Sequence, residues 1–342
     1  MRKLIEELSS LRGISGRESR TAEAVAEYFK KYCDSVETDA LGNVIAYRSC
    51  GKQDAPKILI EAHIDEIGLM VSEVTKTGAL RFVNVGGVDE RILPSLEVTV
   101  HGVKDLDGVI GTVPRERSDE TKSYKTEDMI IDTGLSAERV SELVRVGDAV
   151  TLPQSVGRLG RHCISAKTMD DRASVAALIS VMKKLRGERL ECDVYAAAAV
   201  QEEVGCRGGK TVACGIMPDM AIAVDVTHGI TPDNSKNAFA LGSGTVITRG
   251  PNLHLRLTER LIETARAKGV KYSIDVDGGC TGTDAWEIQT AGSGVPTALL
   301  SIPLRYMHTS VETLDVRDVK ATAALIYEFI KGSEGDTAWL SL

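Results

Sequence analysis

The sequence predicts an α/β protein in which a mostly parallel sheet is covered by helices and the chain is split by a small β-rich insert. Three observations predict it. After Arg161, apolar runs of strand length alternate with segments of helical spacing, which implies βαβ units. Residues 1–70 have the same texture, a helical stretch followed by strand-like runs. From about Ser72 to Leu159 the texture changes to short β-rich pieces broken by Gly, Pro and charges. The domains are therefore expected at 1–70 with 161–342, and at 71–160 for the insert.

Taken in order, "RESRTAEAVAEYFKKY" from Arg17 to about Tyr32 has helical spacing, and "DALGNVIAYR" turns into a strand. "PKILIEAHIDEIGLMV" reads as a buried strand interrupted by polar residues, an odd load for a core. In the insert, "RFVNVGGV", "LEVTVHG", "GVIGTV" and "DAVTL" read as strands and "SAERVSELVRV" as a helix. Beyond it, "SVAALISVMKKLR" is helical, while "CDVYAAAAV", "DMAIAVDV" and "VPTALLSIPL" are strands. "HLRLTERLIETARAKG" is a helix stopped by Gly269. The last helix starts from an N-cap at Asp315 and ends at Gly332.

Composition excludes several classes. The formal net charge of −8, with no block of Lys or Arg, argues against a nucleic-acid partner. Seven cysteines without a CxxC pair indicate neither a disulfide framework nor a zinc finger. No run approaches the ~20 apolar residues of a membrane span. The N-terminus lacks the apolar core of a signal peptide. A reduced, cytoplasmic protein is expected.

Open α/β sheets bind ligands at the carboxyl ends of their strands. His63 and Asp65 follow "KILIEA", Asp170 and Asp171 precede "SVAALISV", Glu202 and Glu203 follow "VYAAAAV", Asp225 follows "MAIAV", and His308 follows "ALLSIPLRYM". Singly, each has a plain reading. Asp171 beside Arg172 suits a helix cap with a surface ion pair, and a lone histidine is more often a satisfied polar residue than a ligand. Together, so many acids at one edge would repel strongly unless a cation compensates them. Imidazoles and carboxylates without a thiolate cluster suit zinc or cobalt, and manganese accepts the same donors. The donors exceed one tetrahedral shell, which favours two ions ~3.5–4 Å apart. Neighbours on an extended segment point to opposite sides, so one of Glu202 and Glu203 can bind metal while the other serves a water as general base. Asp65, two residues beyond His63, suits the orienting of its imidazole.

"EAHIDEIG", "AKTMDDR", "QEEVG", "GGCTGTDA" and "IPLRYMHTSVE" resemble the glutamyl-aminopeptidase family of dinuclear metallopeptidases, in the family's order and over nearly the whole chain. The resemblance implies an α/β/α sandwich peptidase domain with an inserted PDZ-like dimerisation domain. It implies that Asp170 bridges two divalent ions, that His63 and Asp225 complete one site, and that Glu203 and His308 complete the other. It makes Glu202 the general base and Asp65 the residue that orients His63. The implied partners are peptides with a free N-terminus and further copies of the chain, as dimers that assemble into dodecamers. Cys280 reads as a small buried side chain and His228 as a loop histidine rather than a third imidazole ligand. Two rivals are a glycoside hydrolase using paired carboxylates and a non-catalytic metal-binding assembly subunit. The first leaves both histidines idle, and the second leaves Glu202 and Asp65 surplus.

Overall fold

The computed structural model describes residues 1–112, 124–153 and 155–341. The chain opens with α1 (Arg2–Ser9) and α2 (Ser19–Phe29), followed by β1 (Ser35–Thr38), β2 (Val44–Arg48) and β3 (Lys57–His63). The first of these helices was not expected from the alternation of charge near the terminus. It forms because Ile5 and Leu8 share one buried face.

The segment "PKILIEAHIDEIGLMV" holds two strands rather than one interrupted strand. The first half is β3, and the second is β4 (Gly68–Val74), which belongs to a separate sheet. Glu66, in the break, is buried: it accepts from the Gly13 backbone N–H at 2.8 Å and pairs with Lys167 and with Arg172 at 3.3 Å. These bonds fix the chain where it leaves the large sheet.

β4 is joined by β5 (Leu80–Val85), β6 (Glu97–His101), β7 (Asp105–Thr112), β8 (Met129–Asp132) and, after α3 (Ala137–Leu143), β9 (Ala149–Thr151). They close a barrel in the order β4-β5-β8-β7-β6-β9 with antiparallel pairing throughout. Alternate residues such as Leu69 and Val71, Val98 and Val100 fill its core. Val113, the last residue of the "GVIGTV" run, lies outside the described residues.

The chain returns through β10 (Gly157–Leu159) and β11 (Cys163–Ala166) to α4 (Met169–Leu185), β12 (Asp193–Ala199), α5 (Arg207–Ile216) and β13 (Met220–His228). It ends with β14 (Thr245–Arg249), α6 (Leu255–Lys268), β15 (Tyr272–Val276), α7 (Ala285–Ile288), β16 (Thr297–Arg305), β17 (Glu312–Asp315) and α8 (Val316–Lys331). Asp315 caps α8, accepting from the Arg317 N–H at 2.8 Å, and α6 stops at Gly269 with a φ of 64°.

The eleven-stranded sheet runs β1-β2-β12-β3-β13-β16-β17-β11-β10, with β14 and β15 added beside β16. It is mixed, not mostly parallel. Parallel pairing is confined to the central β12-β3-β13-β16 and to β14-β15. At the flanks, β1 and β2, β10 and β11, and β16 and β17 follow one another after short reversals, which permit only antiparallel pairing. Alternation of strands and helices reveals the crossovers and hides these hairpins.

Helices cover both faces. Ile58, Ile60, Ala62, Ile222 and Val224 pack with residues of α4 and α8. Leu59, Ala197, Ala221, Ala223 and Leu299 pack with α5 and α7. By the period of two, Glu61 and His63 share the side of Leu59, and Asp225 that of Ala223. The polar residues thus emerge at one end of the α5/α7 face.

Candidate metal centre

Register sets the first contact. Ala223 stands beside Glu61 at the end of the parallel β13-β3 pair, and two residues further along each strand His63 and Asp225 bring donor atoms within 4.8 Å of one another. β13 continues three residues beyond Asp225, so that carboxylate projects from within the strand rather than from its end.

The loop after β12 delivers both glutamates. The backbone N–H groups of Glu202 and Glu203 donate to Asp65 Oδ1 at 3.0 Å and Oδ2 at 3.2 Å. The Ser15 hydroxyl donates to Asp65 Oδ2 at 2.6 Å, and Asp65 Oδ1 lies 3.3 Å from His63 Nδ1. A fully buried Asp65 therefore anchors the imidazole and the glutamate loop together. Glu202 Oε1 accepts from the Cys206 thiol at 3.2 Å, and its Oε2 lies 3.8 Å from His63 Nε2.

Asp170 sits where α4 is not yet helical, with ψ of 105°. Its two oxygens face different imidazoles: Oδ1 is 3.1 Å from His63 Nε2, and Oδ2 is 3.4 Å from His308 Nε2. His308 Nε2 is also 3.4 Å from Glu203 Oε2. His308 Nδ1 lies 3.0 Å from the Gly87 carbonyl of the barrel, an orientation that leaves Nε2 for the site. A Cβ on Gly87 would stand 2.8 Å from that Nδ1, so the close approach requires glycine. Donor atoms of His63, Asp170 and Glu203 all lie within 4.8 Å of one another, as do those of His63, Asp171 and Asp225.

Burial pushes the carboxyls of Asp171, Asp225, Glu203 and Glu312 well above the ordinary range, and neighbouring acids push them further. Burial raises Glu202 to about 7, against the pull of His63 and with the push of Asp284 and Asp170. Asp170 is the exception. Burial raises it, but the imidazoles of His308 and His63 outweigh that and hold it below the ordinary range. Desolvation pulls His63 down, yet Asp170 and Asp65 hold it well above its usual value.

All seven expected residues thus converge on one edge. The sequence reading missed Glu312, whose oxygens accept from the backbone N–H of His308 at 2.8 Å and of Asp170 at 3.0 Å. It also missed Glu61 and Asp284, acids 1% and 2% exposed that have carboxylate oxygens without hydrogen-bond partners. A glutamate inside the apolar run "KILIEA" was the available signal. Asp171 is fully buried rather than a surface cap, and the Arg172 side chain turns inward to the Ile64, Leu8 and Leu11 carbonyls. Two expectations fail: Cys280 is exposed, because its glycine-rich segment lies on the surface, and His228 is the last residue of β13 rather than a loop residue.

The sequence model of the M42 glutamyl aminopeptidase family matches residues 42–325. The lysyl aminopeptidase of Pyrococcus furiosus is 37% identical over 334 residues, covering 95% of this chain and 94% of its own. Among solved structures, aminopeptidase APDkam598 of Desulfurococcus kamchatkensis matches with a TM-score of 0.92 at 37% identity, over 99% of this chain and 96% of that one. The TET1 peptidase of Pyrococcus horikoshii, which can assemble into a tetrahedron or a large octahedral shell, matches with a TM-score of 0.86 at 33% identity, over 96% and 98% of the two chains. The chain belongs to the M42 glutamyl aminopeptidase family, and it is a metal-dependent aminopeptidase.

Proposed function

We propose that two divalent ions are held at this edge and that Glu202 is the general base that removes N-terminal residues from peptides. The observation that carries the reading is Asp170, whose two oxygens face two different imidazoles, the disposition of a bridging carboxylate. His63 and Asp225 would complete one position, and Glu203 and His308 the other. The donors fit such ions: they are imidazole and carboxylate only, and the crowded acids have little other compensation, Asp171 Oδ1 being buried with no partner. Zinc and cobalt suit the set, as does manganese. When bound, such ions polarise a carbonyl and lower the pKa of water.

The chain's own residues supply the rest. Glu202 takes a proton at Oε2 while Cys206 holds Oε1, and it returns the proton to the leaving amine. Asp65 keeps His63 and the glutamate loop in place. A glycoside hydrolase is disfavoured, because Glu202 and Glu203 adjoin on one loop and both histidines would be idle. In Glu202→Gln, metal content should stay near wild type while kcat falls by about 10²–10⁴-fold. Near wild-type kcat would remove Glu202 from the mechanism.

The insert expected at 71–160 is read as a PDZ-like dimerisation domain that builds a homo-oligomer, its barrel running from β4 to β9 while β10 joins the large sheet. Support comes from the shells formed by the Pyrococcus horikoshii peptidase and from exposed Val83, Val103, Val109 and Val146 on the barrel. Seven free cysteines suit a cytoplasmic location, and no helix of the described residues is long and apolar enough to cross a membrane.

A further inference from the structure

One cavity of about 710 Å³ holds Asp170, Glu203, Asp225 and His308 at its inner end and continues outward past them, a volume within the range of roughly 300–1,000 Å³ usual for small ligands. Its floor follows from strand register. Asp225 stands beside Ser301 across β13-β16, and Ser301 beside Val246 across β16-β14. Two residues along β14, Thr248 stands beside Asp275 of β15. Registered partners and alternate residues share a face. Asp225, Ser301, Thr248 and Asp275 therefore share one face and form an oblique line that steps outward by ~4.8 Å per strand and shifts by two residues at β14.

The line is polar without internal satisfaction. Ser301 and Thr248 are 3% and 2% exposed and line the cavity, and neither hydroxyl has a hydrogen-bond partner among the described residues. Buried hydroxyls left this way point to a ligand. Asp275 and Asp277 line the outer end. Each uses one carboxylate oxygen to accept a neighbouring backbone N–H at 2.8 Å, from Val276 and Gly279, and leaves the other without a partner among the described residues. No lysine or arginine lines the cavity among the described residues.

We infer that the outer part of this cavity, from Ser301 to Asp275, receives the side chain of the substrate's N-terminal residue and selects a basic one, lysine or arginine, with Asp275 pairing with its cation. The inference rests on the metal centre proposed above, which anchors the substrate backbone at the Asp225 end. Three strand spacings, ~14 Å, and the two-residue step of ~7 Å along β14 together put Asp275 roughly 16 Å from Asp225, a span covered by the metal-bound amine, a long side chain and the Asp275 carboxylate in turn. A long side chain extending from the anchored backbone follows that line past Ser301 and Thr248, and a short one leaves it unfilled. An N-terminal glutamate would bring a third carboxylate against Asp275 and Asp277.

The test is kcat/KM of the metal-loaded enzyme on lysyl, arginyl, leucyl and glutamyl p-nitroanilides. Wild type should favour lysyl and arginyl over leucyl, with glutamyl slowest. Asp275→Asn should lower kcat/KM for lysyl and arginyl by about 10- to 100-fold, the size of a charge-assisted contact, and leave leucyl unchanged. Asp275→Lys should raise glutamyl turnover, and Asp277→Asn should give a smaller loss on the same two basic substrates. A wild-type preference for leucyl or glutamyl overturns the inference without any variant, as does an Asp275→Asn loss equal on all four substrates. The two failures are distinct. An enzyme that cleaves leucyl but not lysyl substrate keeps the metal centre and loses the pocket, whereas one that cleaves none of the four refutes both.

Discussion

In the barrel, acids lie at the surface beside partners: Arg91 donates to Asp89, Thr126 to Glu90, and Arg12 to Asp105, and each contact holds its carboxyl below the usual range. At the carboxyl end of the large sheet the same residue types are buried, and Asp171, Asp225, Glu203 and Glu312 are pushed the other way. Burial alone does not explain the contrast. Glu66 is equally buried between the two regions, where desolvation raises its carboxyl but Lys167 and Arg172 outweigh that and bring it below the usual range. The site acids thus differ from Glu66 in forming no ion pair with a lysine or arginine among the described residues, Lys167 acting on Glu312 only from a distance. A fold that supplies internal cations at one buried acid and withholds them nearby has left room for an external cation.

The comparison breaks most visibly at Asp170, where both imidazoles converge. Asp170→Ala should empty at least one metal position and reduce peptidase activity to background, checked by metal stoichiometry on the purified protein beside the assay. Full stoichiometry would mean that Asp170 bridges nothing.

Glu66 tests the other arm. Glu66→Gln leaves Lys167 and Arg172 buried without their anion, and breaking such a pair costs about 3–5 kcal/mol. Denaturant unfolding of metal-free protein should show that loss, while a loss under 1 kcal/mol, the scale of a surface pair, would mean that Glu66 is not the buried counter-charge.

A gentler probe is pH. A metal-free folded chain holds protons on its raised carboxyls and on His63 and His308 that the unfolded chain releases, so its stability falls as pH rises above the ordinary carboxylate range. Asp65 and Asp170 have the opposite sign, but their lowered values place that gain below about pH 4. Metal replaces the protons. The Tm difference between loaded and stripped protein should therefore widen from pH 5 to pH 8, and a constant difference would contradict the crowding of acids.

What could be read from sequence follows the same division. His63, Asp170, Glu203, Asp225 and His308 were legible because each stands where an apolar run ends or a helix begins, and no apolar core explains a charge there. Glu312 and Asp284 were not, since Glu312 meets backbone groups and Asp284 meets Glu61 across distant segments, and spacing carries no trace of that; only Glu61 was marked, by its place inside an apolar run. The central crossovers were visible as alternation. The antiparallel flanks were not, because a hairpin of short strands has the same local composition as a loop. The step from β3 into the barrel was hidden inside one apolar run, where Glu66 signals a break only once Lys167 and Arg172 are seen to meet it.

The smallest effect expected on chemistry is at the barrel surface, and it separates assembly from catalysis. Val109 on β7 is 49% exposed, an apolar side chain whose strand neighbours are Glu97 and Asp132. On the proposal that the barrel builds the oligomer, its exposed valines would be contact area for another copy. Val109→Lys, which places a cation between Glu97 and Asp132, should leave protomer stability within about 0.5 kcal/mol and keep the metal content. It should lower the assembly's mass by light scattering, with turnover of a small aminoacyl substrate unchanged. If the mass stays constant, Val109 lies outside the contact. If metal is lost along with the mass, the two regions are coupled through Gly87, whose carbonyl reaches His308 from the barrel.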